Sequence, residues 1–165
     1  MFAATAIDTS NKPAFYDELA TQLKALLEGE ADSIANAANT SALIYQMVPG
    51  LNWAGFYFLQ SDEELVLGPF QGKPACVRIK VGKGVCGTAV DLGMSMLIKD
   101  VHDFPGHIAC DADSRSELVV LLRDADGVFG VLDLDSPLPG RFDKDDQAGI
   151  EKLAAIYVAA SSFGD

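Results

Sequence analysis

Cations are scarce in this chain: lysine and arginine together number 12 against 24 aspartates and glutamates, leaving a formal net charge of -12. Such a surface repels phosphate backbones and anionic lipid, so neither nucleic acid nor a membrane is expected as a partner. No apolar run approaches the roughly 18 residues that a bilayer span needs. Residues 1–11 carry no basic residue and no apolar block of signal-peptide length, so the expected compartment is the cytoplasm. Cysteine occurs three times. Three thiols cannot all pair within one chain, which excludes a disulfide-stapled scaffold and leaves core filler, metal ligand or redox group as their roles.

What is present is the composition of a globular protein, 49% hydrophobic and 22% charged over 165 residues. That length suits one domain burying roughly 70% of its unfolded surface and is short for two. Asn11 caps a predicted helix with Pro13 in its first turn, and Phe15, Leu19, Leu23, Leu26 and Leu27 recur at helical spacing until Gly29. A second helix starts at Asp32 or Ser33, with Ile34, Ala37, Ala38, Ser41 and Tyr45 as its expected packing face, and ends at Pro49-Gly50. From Asn52 the period changes. Trp53 to Leu59 and Glu64 to Phe70 read as a hairpin, Cys76 to Val81 as a third strand, Val85 to Leu92 as a short helix and Met96 to Lys99 as a short strand. Val101 to Arg115 is a long irregular loop, the kind that usually carries function. Glu117 to Leu122 and Val128 to Asp135 form a second hairpin, and a last helix capped by Asp143 carries Ile150, Leu153, Ala154, Tyr157 and Val158 as its buried stripe. The expected fold class is α+β, a mainly antiparallel sheet covered by helices.

Gly82-Lys83-Gly84-Val85-Cys86-Gly87 matches the dinucleotide fingerprint letter for letter. The helix behind it is short and no second βαβ unit follows, so a tight turn is the expected role and no nucleotide is expected. His102, His107, Cys76, Cys86 and Cys110 are donors that zinc accepts, but none has the close spacing of a structural site, and no metal is expected. Cys110 lies among polar residues of the long loop and is the best nucleophile candidate. Cys76 and Cys86, in apolar and glycine-rich surroundings, read either as core filler or as redox partners. Asp111 and Asp113 beside Cys110 work against its ionisation unless a cation offsets them.

Asp133 and Asp135 are two apart on a strand and so leave one face of the sheet. The turn sequence Asp124-Ala125-Asp126-Gly127 suits a three-residue loop with Gly127 as the bulge residue, which sets Glu117 opposite Asp135 and gathers three carboxylates. Three cannot all ionise cheaply, so one would hold a proton near neutrality while the others receive a cationic group. Trp53 and Tyr57 share a face of the first strand, and Gly55 between them is expected to leave space between two rings for a small apolar group.

Taken together, the blocks Asn52 to Tyr57, Leu67 to Lys73, Gly84 to Ala89, Gly106 to Asp111 and Gly130 to Ser136 resemble the free methionine-R-sulfoxide reductases, enzymes built on a GAF domain. The resemblance runs from Asn52 to Phe142, and one departure is Leu121, where proline is expected. It implies a single GAF domain over residues 1–165, with N-terminal helices in 11–48, the sheet and active-site loop in 52–136 and a C-terminal helix in 143–163. It implies reduction of the free R sulfoxide with Cys110 as catalytic thiol, Cys76 as resolving thiol and Cys86 as an auxiliary one. Trp53 and Tyr57 would receive the methyl end, while Glu117, Asp133 and Asp135 bind the amino group, with Glu117 and Asp135 also assisting proton transfer. No bound cofactor is implied; thioredoxin is the external reductant, and a homodimer through the N-terminal helices is the assembly considered. The alternative is a GAF-type sensor that binds a small molecule or registers oxidants without turnover, which an activity assay distinguishes.

Overall fold

A computed structural model describes residues 2–106 and 112–163. Helix α1 (Lys12–Leu27) starts where the Asn11 side chain accepts from the Ala14 amide, and it buries Phe15, Leu19, Leu23 and Leu27 as the spacing predicts. Helix α2 (Ser33–Met47) is capped by Asp32 but turns a different face inward from the one expected. Asn36, Ala37, Thr40, Ser41, Leu43 and Ile44 are buried, whereas Ile34 is 58% and Tyr45 39% exposed. Two polar side chains on this face find partners: Asn36 Nδ2 donates to the Glu30 and Ala160 carbonyls, and Ser41 Oγ donates to those of Ala37 and Pro69. A buried polar group that is hydrogen-bonded carries little cost, so a reading based on apolar residues alone misplaces the face.

Strands β1 (Trp53–Ser61), β2 (Glu64–Gly72), β3 (Arg78–Lys80), β4 (Met96–Ile98), β5 (Ser116–Arg123) and β6 (Val128–Ser136) form one sheet in the order β3-β2-β1-β6-β5-β4. Every adjacent pair is antiparallel. Strand β3 is shorter than predicted, so Cys76 precedes it in a connecting segment instead of opening it. Helix α3 (Gly84–Leu92) lies between β3 and β4, and helix α4 (Lys144–Ala160) closes the chain with a capping box between Asp143 and Asp146. It stops short of residue 163 because the Ser162 amide donates to the Ala31 carbonyl.

Alternation along the strands divides the sheet into two sides. Ala54, Phe56, Leu118, Val120, Leu132 and Leu134 face α1, α2 and α4 in the larger core. Trp53, Tyr57, Val119 and Val131 face the other way, into a smaller cluster with Val85, Cys86 and Ala89 of α3. The family's expected proline is not needed for the ladder, since Leu121 pairs with Val131 in unbroken register. Glu117 stands opposite Asp135, as the turn reading requires. The irregularity sits elsewhere than expected: Leu122 pairs with Gly130 and Arg123 with Val128, so the extra residue is Phe129 and not Gly127. Gly127 still adopts a positive φ of 135° while the Asp124 carboxylate accepts from the Asp126 and Gly127 amides.

Candidate active site

On the α3 side of the sheet a cleft is lined by Trp53, Tyr57, Ile79, Val85, Cys86, Ser114, Glu117, Asp133 and Asp135, and by Lys73, Pro74 and Ala75 of the segment between β2 and β3. Strand register assembles it. Trp53 pairs with Asp135, Gly55 with Asp133 and Glu117 with Asp135, so aromatic and acidic residues of three adjacent strands emerge on one face. Cys86 comes from α3, whose approach to the sheet is set by Gly87: a Cβ there would lie 2.2 Å from the Lys80 carbonyl oxygen. The fingerprint glycines thus serve a tight turn, with Gly82 and Gly84 at φ of 78° and 60°, and the antiparallel sheet offers none of the parallel βαβ context that the fingerprint requires.

The two aromatic residues meet differently from the expectation. Their rings stack on each other, centroids 5.9 Å apart, and Trp53 stacks on Phe70 of β2 at 5.3 Å. A Cβ at Gly55 would fall 2.3 Å from that of Phe70 and 2.7 Å from the Trp53 ring. The space left by the missing side chain is therefore filled by a neighbouring strand, and the apolar surface offered to a ligand is the exposed flank of a stack. The polar ends of both residues reach the segment between β2 and β3: Trp53 Nε1 donates to the Lys73 carbonyl at 3.1 Å and Tyr57 Oη to the Cys76 carbonyl at 2.9 Å. Cys76 is disulfide-bonded and Cys86 is a free, buried thiol. Cys110, His107 and Asp111 lie outside the described residues. Lys73 forms an ion pair with Asp113, which offsets one of the acidic neighbours of the loop thiol. Asn52 Nδ2 donates to Ser114 Oγ, tying the end of the loop to the start of β1. Sequence reasoning missed Ser114 and gave Lys73 no role, although Lys73 closes one of the blocks that carry the family resemblance. His102 is exposed and bonded through Nδ1 to Asp100, the ordinary fate of a loop histidine.

Much of the acidic wall is withdrawn from solvent. Glu117 and Asp133 are buried, Asp135 is half-buried, and among the described residues Asp133 Oδ1 has no hydrogen-bond partner. Burial, and then the neighbouring charges of Asp133 and Asp135, push the Glu117 carboxyl well above its usual range. Burial raises Asp133 to about 7, an effect partly held back by Cys86, Glu117 and the Leu134 amide. Burial together with Asp133 and Glu117 also pushes the Cys86 thiol up, which makes it a poor nucleophile in this arrangement. Such a wall holds protons near neutrality and offers several oxygen acceptors to a cation that enters.

This antiparallel sheet, with helices on one side and a cleft beneath a short helix on the other, defines a GAF domain, and the GAF domain family model matches residues 40–160. The chain is 54% identical over 145 residues to the free methionine-R-sulfoxide reductase of Escherichia coli, covering 88% of this chain and 87% of that one. Its counterpart of the same name in Saccharomyces cerevisiae is 42% identical over 160 residues, 93% and 89% of the two chains. The X-ray structure of free methionine-R-sulfoxide reductase from Neisseria meningitidis in complex with its substrate superposes with a TM-score of 0.91 at 41% identity, covering 97% and 95%. The chain belongs to the free methionine-R-sulfoxide reductase family.

Proposed function

We propose that the chain reduces free L-methionine (R)-S-oxide to methionine, with Cys110 attacking the sulfoxide sulfur and Cys76 resolving the product. The observation that carries this reading is the cleft itself: three carboxylates share it with an aromatic stack, and the segment that lines it through residues 73–75 runs on into the disulfide-bonded Cys76. The substrate's ammonium group binds Glu117, Asp133 and Asp135, and its methyl end rests against Trp53 and Tyr57. The Cys110 thiolate attacks sulfur while a carboxyl of Glu117 or Asp135 protonates the departing oxygen. The attack forms an S–S bond, the protonated oxygen passes as hydroxyl from the methionine sulfur to the Cys110 sulfur, and as the S–S bond breaks methionine leaves with its electron pair while Cys110 becomes a sulfenic acid. The Cys76 thiol then displaces water from that sulfenic acid to form the disulfide, with Cys86 as an auxiliary thiol, and a dithiol such as that of thioredoxin reduces the disulfide by exchange.

A carboxylate-lined, roofed cleft favours the free amino acid, because a residue inside a peptide brings no ammonium group and has chain on both sides. The same reading takes the cytoplasm as compartment and a homodimer through α1 and α2 as assembly; among the described residues no helix is long and apolar enough to cross a membrane. The test follows loss of methionine sulfoxide, resolved by epimer, with thioredoxin and its reductase. Wild type is expected to consume only the R epimer and Cys110→Ser neither. Cys76→Ser is expected to release about one methionine per chain and then stall with thioredoxin. Consumption of neither epimer by wild type, or full activity in Cys110→Ser, overturns the reading.

A further inference from the structure

The acidic wall contains a donor that an ammonium group has no use for. Cys86 Sγ, one carboxylate oxygen of Glu117 and one of Asp133 lie within 4.8 Å of one another, and Cys86 Sγ is 4.0 Å from Glu117 Oε1. All three residues are buried and all line the cleft. Asp133 is only 5% exposed, and although its carboxyl is bonded to Cys86, Glu117 and the Leu134 amide, its Oδ1 has no hydrogen-bond partner among the described residues, an uncommon state for a buried oxygen. Cys86 is a free thiol in the same structure in which Cys76 is disulfide-bonded, so this donor set persists in an oxidised chain. The geometry points to a binding site for a thiophilic divalent cation of the zinc class, formed by Cys86, Glu117 and Asp133 with a fourth position facing the cleft.

The choice of ion follows from the donors. A carboxylate pair alone would serve magnesium or calcium, which prefer six or more oxygens, whereas one sulfur with two oxygens suits four-coordinate zinc or cadmium. Zinc–sulfur and zinc–oxygen bonds of about 2.3 and 2.1 Å give ligand-to-ligand edges of about 3.5 Å. The present separations therefore close by about an ångström around an ion, within the reach of side-chain adjustment. Binding breaks the Cys86 S–H bond and expels the proton shared by the two carboxyls; both protons go to solvent, the metal–ligand bonds replace them, and no electron moves. The site is drawn from α3, β5 and β6, so no sequence spacing reveals it, which is why none was expected. An ion here would also occupy the place assigned above to the substrate's ammonium group, making zinc an inhibitor that competes with the amino acid.

Cobalt(II), a spectroscopic stand-in for zinc, tests the site in a Cys76→Ser/Cys110→Ser chain, where Cys86 is the sole thiol. One equivalent is expected to bind with a thiolate-to-cobalt charge-transfer band that zinc abolishes. Adding Cys86→Ala should remove the band, and adding Asp133→Asn should weaken affinity at least about tenfold. The proposal is overturned by absence of the band in a chain whose circular dichroism remains native, by its persistence without Cys86, or by unchanged affinity in the Asp133→Asn chain. The readout requires no turnover, so its failure is separate from failure of the reductase reading.

Discussion

Asp133→Asn removes a carboxyl from the buried part of the acidic wall while keeping its shape, and it should make the empty protein more stable than wild type by a margin that grows as the pH rises. In the unfolded chain this carboxyl ionises near its ordinary value of 3.8, whereas in the fold it does so at about 7. The folded state therefore holds the proton more tightly. Its advantage is complete below the unfolded value and is lost progressively as pH climbs to about 7. At about 1.4 kcal/mol per pH unit the gap caps the penalty at roughly 4 kcal/mol above pH 7.5. Asparagine escapes that penalty, and its amide can donate to the neighbouring carboxylates. Even half of the cap, about 2 kcal/mol, raises the melting temperature by about 4–8 °C for a domain of this size. Thermal melts of oxidised wild type and variant from pH 5.5 to 8.5, without substrate and above the pI of about 4.4, should show a gap that widens with pH. A variant no more stable than wild type at pH 8.5, or a gap independent of pH, refutes the assignment of a buried, proton-holding carboxyl at this position.

Two structural predictions concern the junction of α1 and α4. Asp146 is 1% exposed and accepts from Tyr16 Oη, Lys12 Nζ and Arg141 Nη1; Asp146→Ala takes this acceptor from Tyr16 and Arg141, leaves Lys12 with Asp143, and should cost about 3 kcal/mol in urea denaturation. Gly149→Ala places a methyl group 2.1–2.4 Å from the Tyr16 ring, and because the ring is held by Asp146 it cannot swing away. A loss of about 2–3 kcal/mol is expected by the same measurement.

Those elements whose signals are local were legible in the sequence. Asn11, Asp32 and Asp143 cap helices where predicted, and Glu117 stands opposite Asp135 as expected, although through a bulge at Phe129 and not one at Gly127. What escaped depends on contacts between elements distant in sequence. The buried face of α2 follows from carbonyl acceptors supplied by β2 and by the end of α4. Phe70 fills the gap at Gly55 from the adjacent strand, and the bulge at Phe129 depends on the whole hairpin. The carboxylate wall was legible as an alternation; the burial of Asp133 was not, because it depends on α3 lying against this face, and α3 takes that position through the close approach at Gly87.

The split of the sheet into two sides has a bearing on how such a site can change. Along β1, β5 and the part of β6 beyond the bulge at Phe129, the odd-numbered residues lie on the cleft side and the even-numbered ones on the side of the helices. A substitution on the odd set alters what the cleft binds and leaves the larger core intact, while the cohesion of the even set determines how much unfavourable charge burial the odd set can carry before the domain unfolds. Tolerance for new chemistry in this protein is thus written on the opposite side of the sheet from the chemistry itself, in Phe56, Leu118, Leu132 and their neighbours.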